Sequence, residues 1–172
     1  MASKPIRSDP DYYLDPLHSL GYLSWLSFRA FSRSLEKRTL KHGVTAGQWR
    51  FLRILWQEDG ITQRELTQRI GMREPTTVTA VRSLESSGLI RRVRDRDDRR
   101  KMKVFLTPKA KRLQHKLMPY VADVLEIATQ GISARDLATT QRVLAEMQQN
   151  LVRHDELDQV VKKPPAGSPR QR

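Results

Sequence analysis

Cysteine is absent from all 172 residues, which removes disulfides, thiolate nucleophiles and thiol redox switching together. A reducing cytoplasm suits such a composition. Aromatic residues make up only 6% and hydrophobic residues of all kinds 38%, a low but workable supply for a mostly helical protein. No stretch approaches the roughly 20 apolar residues that a membrane span needs. The opening MASKPIRSDPDYY has no apolar core of the kind a secretory signal carries. The four histidines, His18, His42, His115 and His154, lie far apart without a metal-ligand spacing. No Ser/His/Asp set, Gly-rich phosphate loop or internal repeat is visible. The expectation is therefore a protein that is not an enzyme, with no metal and no cofactor.

What the chain has is positive charge. Its 32 Lys and Arg stand against 19 Asp and Glu, giving a net charge of +13 and a pI near 10.6. That excess calls for an acidic partner, with nucleic acid and anionic membrane as the usual candidates. Nor is it confined to a tail. The end VVKKPPAGSPRQR carries four basic residues, whereas Arg91 to Lys103 carries eight against three aspartates.

A pass along the chain predicts six helices and one hairpin. Residues 1–14 are polar and Pro-rich, expected to form a flexible arm. Asp15-Pro16 reads as N-cap and first helical residue, followed by Leu17, Leu20, Leu23, Phe28, Phe31 and Leu35 near helical period, with a stop at Gly43. Thr45-Ala-Gly-Gln48 and Thr62-Gln-Arg-Glu65 are capping boxes opening a second and a third helix. A fourth helix is expected over 75–87, with Val78, Val81 and Leu84 inward. Leu89–Val93 and Lys101–Leu106 read as strands, the second half-buried from its basic-apolar alternation. Thr107-Pro108 opens a long fifth helix that Pro119 should kink, and Ser133 caps a sixth. Residues 156–172 are expected to be a flexible basic tail.

Two short helices joined by a tight Gly-containing turn, then a two-stranded hairpin, make a winged helix-turn-helix. A helix fits the major groove of B-DNA, its partner braces it, and a hairpin reaches the neighbouring minor groove. Arg73, Glu74, Thr76, Thr77, Thr79 and Arg82 read as the outward face of the fourth helix, suited to base edges and phosphates. The run RDRDDRRKMK at the hairpin tip suits a narrow, strongly negative minor groove. There Asp95 and Asp98 can pair with neighbouring guanidiniums and hold them in one rotamer. Arg99, Arg100 and Lys101 complete the predicted DNA-contacting set; a plain solvated loop has no use for such bracing.

The run ITQRELTQRIGMREPTTVTAVRSLESSGLIRRVRDRDDRRKMKVFLTPKA resembles the MarR (multiple antibiotic resistance regulator) family of transcription factors. The SLESSGLI-RR element and the DDRRKMKVFLT wing carry the likeness most specifically, and it extends over roughly residues 15–155. The resemblance implies a mainly α fold with a small β-hairpin wing. A winged lobe at about 45–107 would be joined to dimerisation helices at 15–42 and 107–155. It implies a homodimer on a palindromic site in double-stranded DNA, usually a repressor, often released by an anionic aromatic ligand. It places Arg100 in the minor groove, Arg99 at the backbone, and Pro75, Thr77, Thr79 and Arg82 toward the major groove.

Tyr22, Trp25, Phe28 and Trp49 admit two readings. Packing of the first helix on the second accounts for them. With Arg29 and Arg53 close in sequence, they also suit an aromatic carboxylate, its ring on the aromatic walls and its charge on a guanidinium. A rival to the ligand-controlled regulator is a winged-helix module that packages DNA or binds proteins without a ligand switch.

Overall fold

The computed structural model of the protein describes residue 12 and residues 14–162, with side chains through residue 155. Most of the expected arm at 1–14, and the expected tail from residue 163 onward, lie outside the described residues. The chain divides into two units, Met1–Ala128 and Thr129–Arg172.

In the first unit, Asp15 does cap a helical turn, its carboxylate accepting from Leu17 N–H at 2.9 Å, but the turn is a single 3-10 turn, Pro16–His18. Ser19 then takes an extended backbone and becomes the true cap, its Oγ accepting from Tyr22 N–H, so helix α1 runs Leu20–Thr39. A further 3-10 turn, Leu40–His42, closes at Gly43, which takes the left-handed conformation expected of a helix stop. Helix α2, Ala46–Gln57, and helix α3, Gln63–Ile70, both open on complete capping boxes, Thr45 with Gln48 and Thr62 with Glu65. Each such cap stabilises its helix by about 1 kcal/mol.

Helix α4, Glu74–Ser86, buries Thr77, Val81 and Leu84. This corrects the predicted inner face. Steps of three drift backward around a helix of 3.6 residues per turn, so Val78 slides to a half-buried flank while Thr77, four before Val81, lies squarely inward. Strands β1, Ile90–Arg94, and β2, Met102–Leu106, pair antiparallel, with Ile90 opposite Leu106 and Arg94 opposite Met102.

The segment before α3 pins this hairpin to the lobe. Val104 N–H donates to Ile61 O, Gly60 N–H donates to Val104 O, and Thr62 bridges Lys103. Asp59 accepts from Leu106 N–H at 2.7 Å through one oxygen and pairs with Lys111 at 2.8 Å through the other. Helix α5, Pro108–Thr129, contains Pro119 and starts from Thr107, whose hydroxyl donates to Gly88 O and accepts from Ala110 N–H.

The core of this unit gathers Phe51, Leu52 and Leu55 of α2, Leu66 of α3, Val81 and Leu84 of α4, Val104 of β2 and Leu117 of α5. Burying each of these apolar side chains contributes about 1.5–3 kcal/mol, and together they fix α4 and the hairpin on one frame. Trp56 indole N–H donates to Ala110 O at 3.0 Å, joining α2 to α5.

In the second unit, helix α6 runs Ala134–Lys162, seven residues past the predicted end of the folded region. Ser133 caps it as expected, accepting from Asp136 N–H at 3.1 Å and donating to the Asp136 carboxylate at 2.7 Å.

Candidate nucleic-acid interface

Burying Val81 and Leu84 turns the opposite face of α4 to solvent. Arg73, Glu74, Pro75, Thr76, Thr79 and Arg82 are all exposed there. Arg73 is the N-cap residue and makes no side-chain cap, as expected of a guanidinium, which only donates. Thr79 hydroxyl donates back to Pro75 O at 3.2 Å, so toward a partner it offers a lone pair and a methyl group. Thr77 is a correction to the predicted site. It is fully buried, its hydroxyl donating to Arg73 O at 3.4 Å, and it is a core residue with no access to a base edge.

Arg92 fixes the base of the wing to α4. Its Nε and Nη2 both donate to Glu85 Oε2, at 2.9 and 2.6 Å, and its backbone N–H donates to Glu85 Oε1. The pairing with Arg92 holds the Glu85 carboxyl below its ordinary range. One residue nearer the base, Arg91 lies over the Phe105 ring at 4.8 Å.

At the tip the chain between Arg94 and Met102 is ordered by carboxylates. Asp95 is buried and accepts from Asp97 N–H and Asp98 N–H through one oxygen, at 2.8 and 3.0 Å. Its other oxygen pairs with Lys103 at 2.7 Å. The Lys103 ammonium, then the two backbone N–H groups, hold the Asp95 carboxyl far below its ordinary value, and Asp95 raises Lys103 in return. The expectation that Asp95 pairs with a guanidinium is thus corrected. A loop that folds back on itself brings the lysine of the opposite strand closer than any neighbouring arginine.

Asp98 does brace an arginine. It accepts from Arg100 Nε at 3.0 Å and from Arg100 N–H at 3.1 Å, with Lys101 ammonium at 3.8 Å, and these contacts lower its pKa, the Arg100 side chain most. Arg100 itself remains 91% exposed. Arg99 is exposed as well and has no ion-pair partner among the described residues. The tip therefore presents one guanidinium held by a carboxylate and one without an ion-pair partner among the described residues.

The predicted aromatic cleft is only partly assembled. A cleft of about 1000 Å³ is lined by Phe28, Trp49, Arg53 and also by Arg50, Arg69 and Glu36. Tyr22, Trp25 and Arg29 do not line it. They form their own exposed group on α1, Arg29 over the Trp25 ring at 4.7 Å and Tyr22 tilted against Trp25. Trp25 and Arg29 share a face one turn apart and satisfy each other. Arg50 lies over Phe28 at 5.7 Å and Arg69 pairs with Glu58 at 2.7 Å, while Arg53 is exposed with no ion-pair partner among the described residues.

Sequence reasoning saw Gln48 only as half of a capping box. Buried beneath α4, it also donates to Ser87 Oγ at 3.0 Å and Ser83 Oγ at 3.4 Å. These contacts span 39 and 35 residues, and no local pattern announces them. Nor does any announce Asp59, which meets β2 and α5 from 47 and 52 residues away.

A helix braced by a second helix, with a cation-tipped hairpin on the same frame, defines a winged helix-turn-helix protein. The sequence profile of the MarR family matches residues 44–102, which span α2 to the start of β2. The HTH-type transcriptional regulator TtmR of Methylorubrum extorquens strain PA1 is 33% identical over 111 residues, covering 64% of this chain and 55% of that relative. This chain thus aligns with about half the length of TtmR. A MarR transcriptional regulator from Methanosarcina mazei Go1 superposes with a TM-score of 0.73 at 29% identity, over 78% of this chain and 96% of that one. The transcriptional regulator PA3341 superposes with a TM-score of 0.70 at 34% identity, over 78% and 99%. The chain belongs to the MarR family.

Proposed function

We propose that the protein is a DNA-binding transcription regulator that acts as a homodimer on a palindromic operator, as a repressor released by a small aromatic carboxylate. The observation that carries the DNA reading is the sharing of one rigid lobe by two cationic readers. Arg73 and Arg82 flank Thr76 and Thr79 on the open face of α4, and Arg100 is oriented by Asp98 on the wing. Phosphate contacts from the arginines position the lobe, and the threonines meet base edges.

Homodimerisation follows from exposed apolar surface. On the first unit Leu17, Leu20, Trp25 and Phe28 face solvent, and on the second Leu144 and Leu151 do. Water-exposed leucines on this scale are what a second copy covers. Two lobes related by a two-fold axis then require a palindrome. Among the described residues no helix is long and apolar enough to cross a membrane, and the cytoplasm is the proposed site of action.

The test is selection of duplexes from a random-sequence pool at fixed salt, followed by titration of the winner and of scrambled DNA. Enrichment of one inverted repeat, bound by a species sedimenting as a dimer, is the expected result. Equal affinity for all sequences would replace the regulator with a DNA-packaging module. A stable monomer at micromolar concentration would remove the palindrome from the reading.

A further inference from the structure

We propose that Gln48 is a positioning residue for DNA reading, the joint that sets the seat of α4 on the start of α2. The proposal rests on the DNA-reading function above and adds a residue that touches no DNA. A buried primary amide is costly unless its oxygen and both N–H groups find partners. Here Gln48 Oε1 accepts from Thr45 N–H at 3.1 Å, and Nε2 donates to Ser87 Oγ at 3.0 Å and Ser83 Oγ at 3.4 Å. The Ser87 hydroxyl spends its own proton on Ser83 O at 2.9 Å, so toward Gln48 it can only accept. The polarity of the joint is therefore fixed. An apolar contact of equal area would let the C-terminal turn of α4 slide on α2, whereas paired donors and acceptors admit one registration. The seat of α4 in turn sets where Arg73, Thr76, Thr79 and Arg82 stand relative to the wing.

The same first turn of α2 is held from its other side by Glu36 of α1, whose carboxylate accepts from Ala46 N–H at 2.8 Å and which also lines the cleft. Gln48 thus lies two residues from a backbone contact at the cleft wall, on the element that meets the reading helix.

Gln48→Glu separates the two tasks of this side chain. Glutamate at the third helical position still completes the capping box and favours the helix N-terminus, but it confronts Ser87 with an acceptor instead of a donor. The partner variant, Ser83→Ala with Ser87→Ala, removes the acceptors and leaves the α2 cap untouched. Each protein is titrated with the duplex that the native protein selects from the random pool and with scrambled duplex, and its Tm is recorded.

If Gln48 positions α4, both variants lose about fivefold or more of the selected-to-scrambled affinity ratio, while scrambled-DNA affinity, which is set by charge, stays within about twofold after correction for the added carboxylate. The triple variant then loses no more than the serine pair alone, since the residues act through one contact. Unchanged ratios in variants that fold, or a triple variant whose losses simply add, overturn the proposal. So does a variant that loses Tm without losing selectivity, because the joint would then be structural only. Should the native protein select no duplex at all, the DNA-reading function itself has failed, a different result from a native protein that selects and variants that select equally well.

Discussion

Asp98 holds Arg100 by both its side chain and its backbone, at 3.0 Å from Nε and 3.1 Å from N–H, while leaving the guanidinium 91% exposed. An arginine already confined to one rotamer loses less entropy on entering a minor groove than a free one. Arg100→Ala is expected to weaken binding to the selected duplex by roughly 1–3 kcal/mol with Tm nearly unchanged, since an exposed side chain supports nothing. Asp98→Ala should act in the same direction but less. Normal binding by Arg100→Ala would take the wing out of the mechanism. With +13 per chain, and twice that in a dimer, affinity should also fall steeply with salt.

Asp95 and Lys103 set the acid limit of the wing. The Asp95 carboxyl is held below its ordinary value of 3.8, so the stability it contributes is complete above that pH and is lost as pH falls through the lower, folded-state value. Lys103 is raised above 10.5, so its contribution is complete below that pH and is lost only as pH rises through the still higher folded value. Asp95→Asn keeps an acceptor for Asp97 and Asp98 N–H but removes the ion pair. The stability difference between native protein and Asp95→Asn should be flat from about pH 5 to pH 9 and shrink below about pH 4, as read from urea unfolding. A difference that changes between pH 6 and pH 8 would point to a histidine instead.

Two threonines one helical half-turn apart should behave oppositely. Thr77 is buried and Thr79 exposed. Thr77→Val keeps the shape and gives up one long hydrogen bond to Arg73 O, so a stability change within about 1 kcal/mol and unaltered base preference are expected. Thr79→Val should leave Tm alone and alter preference at one base pair of the half-site. Repeating the duplex selection with each variant checks both. A Thr77→Val protein that selects a new sequence would return that residue to the interface.

Gly60 marks where the wing meets the lobe. Its φ is +82, and a Cβ there would lie 2.5 Å from Phe105 Cε1. Gly60→Ala is expected to lose about 1–3 kcal/mol through backbone strain and displacement of the ring, seen as a lower Tm. In a Phe105→Leu background the additional loss should be smaller but not zero, because the positive φ remains.

The local grammar of this chain was legible where one residue decides one event. Both capping boxes, the stop at Gly43 and the Ser133 cap all stand as read, because each depends on neighbours within about four positions. The charged tip was recognisable as a wing from its aspartates. What escaped required knowing which distant residues meet. Thr77 reads as outward by type, since threonine is common on surfaces, and only the phase set by Val81 and Leu84 turns it inward. Lys103 became the partner of Asp95 through strand register, not sequence proximity. The cleft likewise gathers only part of the predicted set, because Trp25 and Arg29 look like a wall and a cation but pair with each other.

That pairing moves the ligand prediction to another arginine. Of the cations lining the cleft, Arg69 is committed to Glu58 at 2.7 Å and Arg50 lies over Phe28, which leaves Arg53 to receive a carboxylate. An aromatic acid seated there would lay its ring near Trp49 and Trp56, both of which line the same cleft, and should quench tryptophan fluorescence. To lower DNA affinity tenfold it needs only ~1.4 kcal/mol of preference for the lobe arrangement that cannot reach DNA. Benzoate and hydroxycinnamate are the first acids to titrate, with quenching and DNA release followed in parallel. Arg53→Ala should weaken both effects together, whereas Arg29→Ala should leave both unchanged. Oxidants should release nothing by thiol chemistry, since the chain has no cysteine. If Arg29→Ala abolishes release and Arg53→Ala does not, the acid binds the exposed α1 group and not the cleft. If no aromatic acid releases DNA from the native protein, the regulator works without an effector of this class.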